Sequence, residues 1–156
     1  MQELYILINV SHLSDQGVRD VLQIAKKPII ASHSNVRALC NHTRNLSDEL
    51  IRGIAQNGGI IGVNCVPYFL DEQDKTIRIQ RMVEHIQYIY RLAGEDVLAI
   101  GNDFDGFCGL TPELDEIKTI ADLPLVADAL IKAGFSARQV DKIFNKNVLR
   151  ILATIN

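Results

Sequence analysis

The chain has 156 residues, 47% of them hydrophobic and 22% charged, with a formal net charge of −3. That composition describes one soluble domain's worth of core, and the scattered Lys and Arg exclude a nucleic-acid or anionic-membrane surface. Cys40, Cys65 and Cys108 form no C-x-x-C pair, which reads as reduced thiols and excludes a zinc knuckle or a disulfide framework.

Met1-Gln2-Glu3-Leu4 has no basic n-region and runs into Tyr5-Ile6-Leu7-Ile8-Asn9-Val10, an apolar run that predicts a first strand ending in Ser11-His12. No signal peptide is expected, no apolar run reaches membrane-spanning length, and a cytoplasmic location is the default. Ser14 can cap a helix whose apolar positions Val18, Val21, Leu22 and Ala25 follow helical spacing, with Lys26 and Lys27 at its end and Pro28 as its stop. Ile29-Ile30-Ala31 predicts a second strand, ending in Ser32-His33-Ser34-Asn35. A polar stretch to Asn45 holds Arg37, His42 and Arg44, and Leu46-Ser47-Asp48 opens the next helix, closed by Asn57-Gly58-Gly59.

Ile60 to Val66 predicts a third strand, stopped by Pro67. The longest helix is expected from about Asp74 to Ala93, with Gly94 after it, and Val97 to Gly101 predicts a fourth strand ending in Asn102-Asp103-Phe104-Asp105-Gly106. A loop through Cys108 and Pro112 follows. Two helices finish the chain, one capped near Asp122 and stopped by Gly134, the other opened by the capping box Ser136-Ala137-Arg138-Gln139.

Strand and helix thus alternate four times, with an extra helix at the end and no internal linker, so residues 1–156 form a single unit. Near-continuously apolar strands in such an order predict a parallel α/β sheet with right-handed crossovers. Function in such sheets lies at the carboxyl ends of the strands, where Ser11-His12, Ser32-His33, Asn64 and Asn102-Asp103 all fall. Two strands each ending in Ser-His, about 4.8 Å apart, can bring two imidazoles to one metal, with ring nitrogens roughly 3–4 Å apart. A histidine that merely caps a strand is the competing reading.

The segments Asn9-Val10-Ser11-His12-Leu13-Ser14, Ala31-Ser32-His33-Ser34-Asn35, His42-Thr43-Arg44-Asn45-Leu46-Ser47-Asp48-Glu49, Gly58-Gly59-Ile60-Ile61-Gly62-Val63-Asn64 and Gly101-Asn102-Asp103-Phe104-Asp105-Gly106 strongly resemble the membrane (renal) dipeptidase family of zinc peptidases. Asn147-Val148-Leu149-Arg150-Ile151 resembles that family's final helix. The resemblance implies a (β/α)8 TIM-barrel type, here its C-terminal half of four βα units plus a final helix, with two zinc ions and a dipeptide substrate. By the same resemblance, His12 and His33 fall on two histidine ligands of one zinc. Arg44 falls on the arginine that holds the substrate carboxylate, and Asp103 on the aspartate facing the free amine and the scissile site.

The residue chemistry agrees: imidazoles suit Zn²⁺, a guanidinium suits a terminal carboxylate, and a carboxylate suits an ammonium or a migrating proton. Asp105 reads as a structural loop acid, and His42 and His85 as residues outside the site, His85 at the surface or in packing. The family's first-strand His-x-Asp and its glutamate bridging both zincs have no counterpart here, and Gly101-Asn102-Asp103 replaces the commoner Gly-Ser-Asp. The expectation is a zinc dipeptidase that is incomplete as an isolated chain, completed by an N-terminal half or by self-association. The alternative is a non-catalytic half-barrel that binds a partner, or a truncated remnant.

Overall fold

The computed structural model describes residues 1–74, 76, 78–104 and 115–155. Asp105, Cys108 and Pro112 lie outside the described residues. Three parallel strands, β1 (Ile30–Ala31), β2 (Ile60–Val63) and β3 (Leu98–Ile100), pair in chain order. Ile30 and Ala31 stand opposite Ile60 and Ile61, and Ile61, Gly62 and Val63 opposite Leu98, Ala99 and Ile100.

Helix α1 (Asp15–Ile24) precedes β1, and α2 (Asp48–Gln56) and α4 (Ile79–Ala93) run between strands, with a single turn, α3 (Pro67–Leu70), after β2. Ser14 and Ser47 accept from Gly17 N and Leu50 N, N-caps worth about 1 kcal/mol each. The helices bury one side of the sheet. Val18, Leu50, Ile51, Ile54, Met82, Val83, Ile86 and Ile89 close on Ala31, Ile61, Val63 and Leu98 in one core. Both faces of β2 are covered, which is why all four of its residues are buried.

The first expected strand is a correction. Residues 5–10 make no ladder beyond one parallel bridge, Asn9 to Ile30, with Ile30 N donating to Ile8 O at 2.9 Å and Val10 N to Ile30 O at 2.8 Å. The chain ahead of it coils as a 3-10 turn (Gln2–Leu4), and Tyr5 takes a left-handed conformation at φ 58°. The physical reason is one-sidedness: only Ile8 to Val10 find a neighbour to pair with, and an apolar run without a ladder does not stay extended. The other strands are shorter than the apolar runs that announce them. The long helix starts at Ile79 instead of Asp74, because Asp74 spends its carboxylate on Thr76 and Arg78 ahead of the helix.

The chain ends in α5 (Leu123–Lys132), α6 (Ala137–Asp141), a π-turn over Lys142–Lys146, and α7 (Asn147–Leu152). The Ser136–Gln139 capping box forms as expected; ahead of α5 a second box joins Thr119 to Asp122. Asn147 donates to Glu95 O and Leu98 O, and Arg150 to Gly58 O and Asp96 O. These bonds lay α7 across the amino ends of β2 and β3. There Ile151 joins Ile60 and Ala99 in a second, smaller apolar cluster with Leu7, Ile30 and Val148. No helix among the described residues is long and apolar enough to cross a membrane.

Candidate metal and substrate site

The polar strand ends meet where the sequence places them. His12 Nε2 and His33 Nε2 are 2.9 Å apart, with ring centroids 4.9 Å apart and planes inclined by 64°. Two nitrogens each about 2.1 Å from a zinc ion stand roughly 3–3.5 Å apart. The observed spacing is slightly shorter, a hydrogen-bonding distance that a small ring rotation opens to a metal's. His12 is exposed and His33 half-buried, as suits a ligand pair at a site mouth.

Two glycines let His33 reach that position. A Cβ on Gly62 would stand 2.1 Å from the Ser32 carbonyl oxygen, and one on Gly101 only 1.9 Å from it. The backbone just ahead of His33 therefore packs against bare glycine in β2 and just past the end of β3. The imidazole is steadied by Ser32 Oγ at 2.8 Å from Nδ1. A hydrogen bond at the other ring nitrogen is the usual support of a metal-ligating histidine.

Arg44 joins them from the loop after β1. Its Nη2 lies 3.1 Å from His12 Nε2, its Nε donates to Ser11 O at 3.2 Å, and its guanidinium stands 5.4 Å from the Phe69 ring centre. The loop is held by its own bonds. Val36 bridges Leu46, Arg44 N donates to His42 Nδ1 at 3.1 Å, and Asn45 Nδ2 donates to Cys40 O and Phe69 O. His42 thus supports the backbone that presents Arg44, and its ring packs on Phe69 at 4.6 Å. A cavity of about 510 Å³ opens beside Arg44, lined by His42, Tyr68, Phe69 and Glu72.

His12 Nε2 has one lone pair, yet the His33 ring and an Arg44 N–H both approach it. A cation between the rings would take both lone pairs and leave Arg44 to an anion, so the donors present fit part of a zinc site. Burial lowers the His33 pKa first; the Asp103 carboxylate acts against it, while His12 and Arg44 lower it further. Those influences place all four expected residues in one electrostatic neighbourhood. Asp103 follows β3 in a left-handed conformation at φ 60°, one that aspartate adopts more readily than most L-residues.

Around this mouth the polar residues are deeply buried. Asn35 donates to Asn64 Oδ1 at 3.1 Å and receives Asn64 N on its own Oδ1 at 3.0 Å. Burial drives the Cys65 thiol up to about 12, and Cys65 donates to Asn102 O, so it is no nucleophile. His85 is fully buried on α4: Val36 N donates to its Nδ1 at 3.0 Å and its Nε2 contacts Leu70 O at 3.0 Å. Of the surface and packing roles open to it, packing is the one it has. Sequence reading passed over Asn9, Ser11 and Ser32 as participants; the polar residue inside an apolar run and the doubled Ser before His were the available signals.

The parallel α/β sheet thus carries, at the carboxyl ends of its strands, two imidazoles and a guanidinium, donors of the kinds that suit a metal ion and an anion. The membrane dipeptidase (peptidase family M19) profile matches residues 1–156, and the chain belongs to that family. It is 36% identical over 155 residues to an uncharacterized protein in the pqqA 5′ region of Klebsiella pneumoniae, covering 97% of this chain and 56% of that protein. It is 29% identical to dipeptidase tcpJ of Claviceps purpurea, covering 99% of this chain and 36% of that one. A Rhodobacter sphaeroides metallo peptidase, solved with a phosphinate mimic of the dipeptide L-Ala-D-Ala, superposes with a TM-score of 0.87 at 27% identity, covering 99% of this chain and 44% of that one. The chain spans about half the length of these relatives, or less.

Proposed function

We propose that this chain carries the substrate-holding part of a zinc dipeptidase site, on the C-terminal half of a (β/α)8 barrel. The observation that supports this most is the convergence of His12 and His33 Nε2 at 2.9 Å beneath the Arg44 guanidinium. His12 and His33 would hold one zinc ion through their Nε2 atoms. When bound, the metal supplies Lewis-acid polarisation of the scissile carbonyl and an activated water. Arg44 takes the dipeptide's terminal carboxylate on its planar fork, with Phe69 behind it. Asp103 pairs with the free ammonium and accepts or returns the proton the departing amine requires.

A hydrolytic zinc usually has three protein ligands and a water. Two imidazoles are therefore part of a site, and the remaining donors come from polypeptide beyond the described residues: more of the same chain, a complementary half, or a second copy. A non-catalytic half-barrel is the second reading. It is favoured by one observation, that no third His, Cys, Asp or Glu stands with the pair among the described residues.

The test is hydrolysis of an unblocked dipeptide with added zinc. The 156-residue chain is assayed alone and mixed with a polypeptide bearing a His-x-Asp strand and a bridging glutamate. Activity confined to the mixture, and lost in His33→Ala, supports the dipeptidase reading. A mixture that forms a complex and binds zinc yet hydrolyses nothing supports the non-catalytic one.

A further inference from the structure

We propose that Asn9 is a positioning residue of the metal site. Its carboxamide ties the Ser11-His12 and Ser32-His33 segments together and holds the His33 ring as the tautomer whose Nε2 lone pair is free for a metal. This rests on the metal-site reading above but makes its own claim about one ring and one side chain.

Asn9 Oδ1 accepts from Ser11 N at 3.2 Å, Ser32 N at 3.1 Å and Ser11 Oγ at 3.0 Å. Backbone N–H groups can only donate, so they fix which end of the carboxamide is oxygen. Nδ2 must then be the group 2.7 Å from Ser32 Oγ, where it donates. One side chain thus bonds both Ser-His segments, from a residue whose backbone is itself bridged to Ile30.

The tautomer follows from counting hydrogens around the two hydroxyls. The Ser11 hydrogen goes to Asn9 Oδ1, leaving Ser11 Oγ to accept from His33 N at 3.0 Å and to face Ser32 Oγ at 3.4 Å. Ser32 Oγ has two lone pairs and one hydrogen. Asn9 Nδ2 fills one lone pair. If His33 Nδ1 carries a proton, it fills the second at 2.8 Å, and the Ser32 hydrogen turns to Ser11 Oγ. Every group among the Asn9, Ser11, Ser32 and His33 Nδ1 contacts is then used. His33 Nε2 is left as a lone pair 2.9 Å from His12 Nε2, whose own lone pair faces the Arg44 N–H, so the two rings present paired acceptors to a cation. With the proton on Nε2, it points at the one His12 lone pair that the Arg44 N–H also approaches, the Ser32 hydrogen must turn to Nδ1, and the Ser11 hydrogen cannot serve both Asn9 Oδ1 and Ser32 Oγ.

The measurement is the long-range ¹H–¹⁵N spectrum of the histidines in the ¹⁵N-labelled 156-residue chain, treated with chelator, at about pH 8 where imidazoles are neutral. His33 is expected as the Nδ1–H tautomer. Asn9→Ala should shift it to a mixture, and so should Ser32→Ala, which removes one hydroxyl and serves if Asn9→Ala fails to fold. Asn9→Asp should preserve it, because its carboxylate accepts the same backbone donors and takes the Ser32 hydrogen, leaving that oxygen to accept from Nδ1. A Co²⁺ titration should show affinity about 10- to 100-fold weaker in Asn9→Ala and far less changed in Asn9→Asp. His33 as Nε2–H in the parent chain, or Nδ1–H in every folded variant, overturns the proposal. A parent chain that takes no Co²⁺ overturns the metal-site reading instead, while the tautomer result still decides this one.

Discussion

At the scale of single residues, Arg44 and Asp103 should separate binding from turnover. Arg44 gives Nε to the Ser11 carbonyl and one Nη2 hydrogen toward His12, so the rest of its fork is available to a carboxylate. In an active assembly Arg44→Ala should raise KM about 10- to 100-fold, the worth of charge-assisted hydrogen bonds, with kcat changed less. Asp103→Asn should lower kcat by about 100-fold, since it removes the proton acceptor while keeping the shape. Steady-state kinetics on the two variants checks the split, and a KM effect from both with no kcat effect would contradict it. His85 gives a prediction that needs no partner. Burial holds its pKa down to about 4, against an ordinary value of 6.5. Between those values the unfolded chain binds the proton and the folded chain does not. The stabilising contribution is therefore whole above about pH 6.5 and is lost as pH falls through 4, in total about 3 kcal/mol. Urea midpoints across that window should fall in the parent and fall less in His85→Gln; parallel slopes would contradict the assignment.

At the scale of elements, the site depends on how closely the strand ends approach. Gly101→Ala or Gly62→Ala would drive a methyl group into the Ser32 carbonyl, and backbone cannot swing aside as a side chain can. Each should cost about 2 kcal/mol or more and move His33 away from His12. Gly94→Ala meets nothing within 4 Å but forces alanine into φ +85°, ψ −173°, a region essentially reserved for glycine, so it should cost about 1–3 kcal/mol yet leave metal affinity alone. Equal losses of metal affinity in all three would refute the close-approach account. The same contrast explains what the sequence made legible. The Ser14 and Ser47 caps and the Asn57-Gly58-Gly59 stop are local signals that gave the expected helix ends, and the Ser-His after the first two apolar runs brings two imidazoles together. The extended Tyr5–Val10 strand was not legible, because pairing needs a neighbour that local pattern cannot supply. Nor was the Asn9 carboxamide's bridging of two segments 23 residues apart, which only the meeting of the strands creates.

At the scale of the whole molecule, the sheet is covered on its faces and open at the edge beyond β1. Helices cover its outer face and α7 its amino end, but Leu4, Tyr5, Ile6 and Ile24 are all exposed beside the single-bridge segment. An apolar edge with free backbone groups invites pairing. The 156-residue chain should therefore self-associate or capture a complementary half; light scattering coupled to gel filtration checks this, and a monodisperse monomer at tens of micromolar would contradict it. The central claim is that His12 and His33 together hold a metal. Its most direct test is a Co²⁺ titration of the purified chain near pH 7.5, followed by visible absorption and competed with Zn²⁺. The account predicts one weak site, displaced by zinc, lost in His12→Ala and in His33→Ala, and kept in His42→Ala. Binding that survives both of the first two substitutions, or that vanishes in the third while they leave it intact, would contradict it.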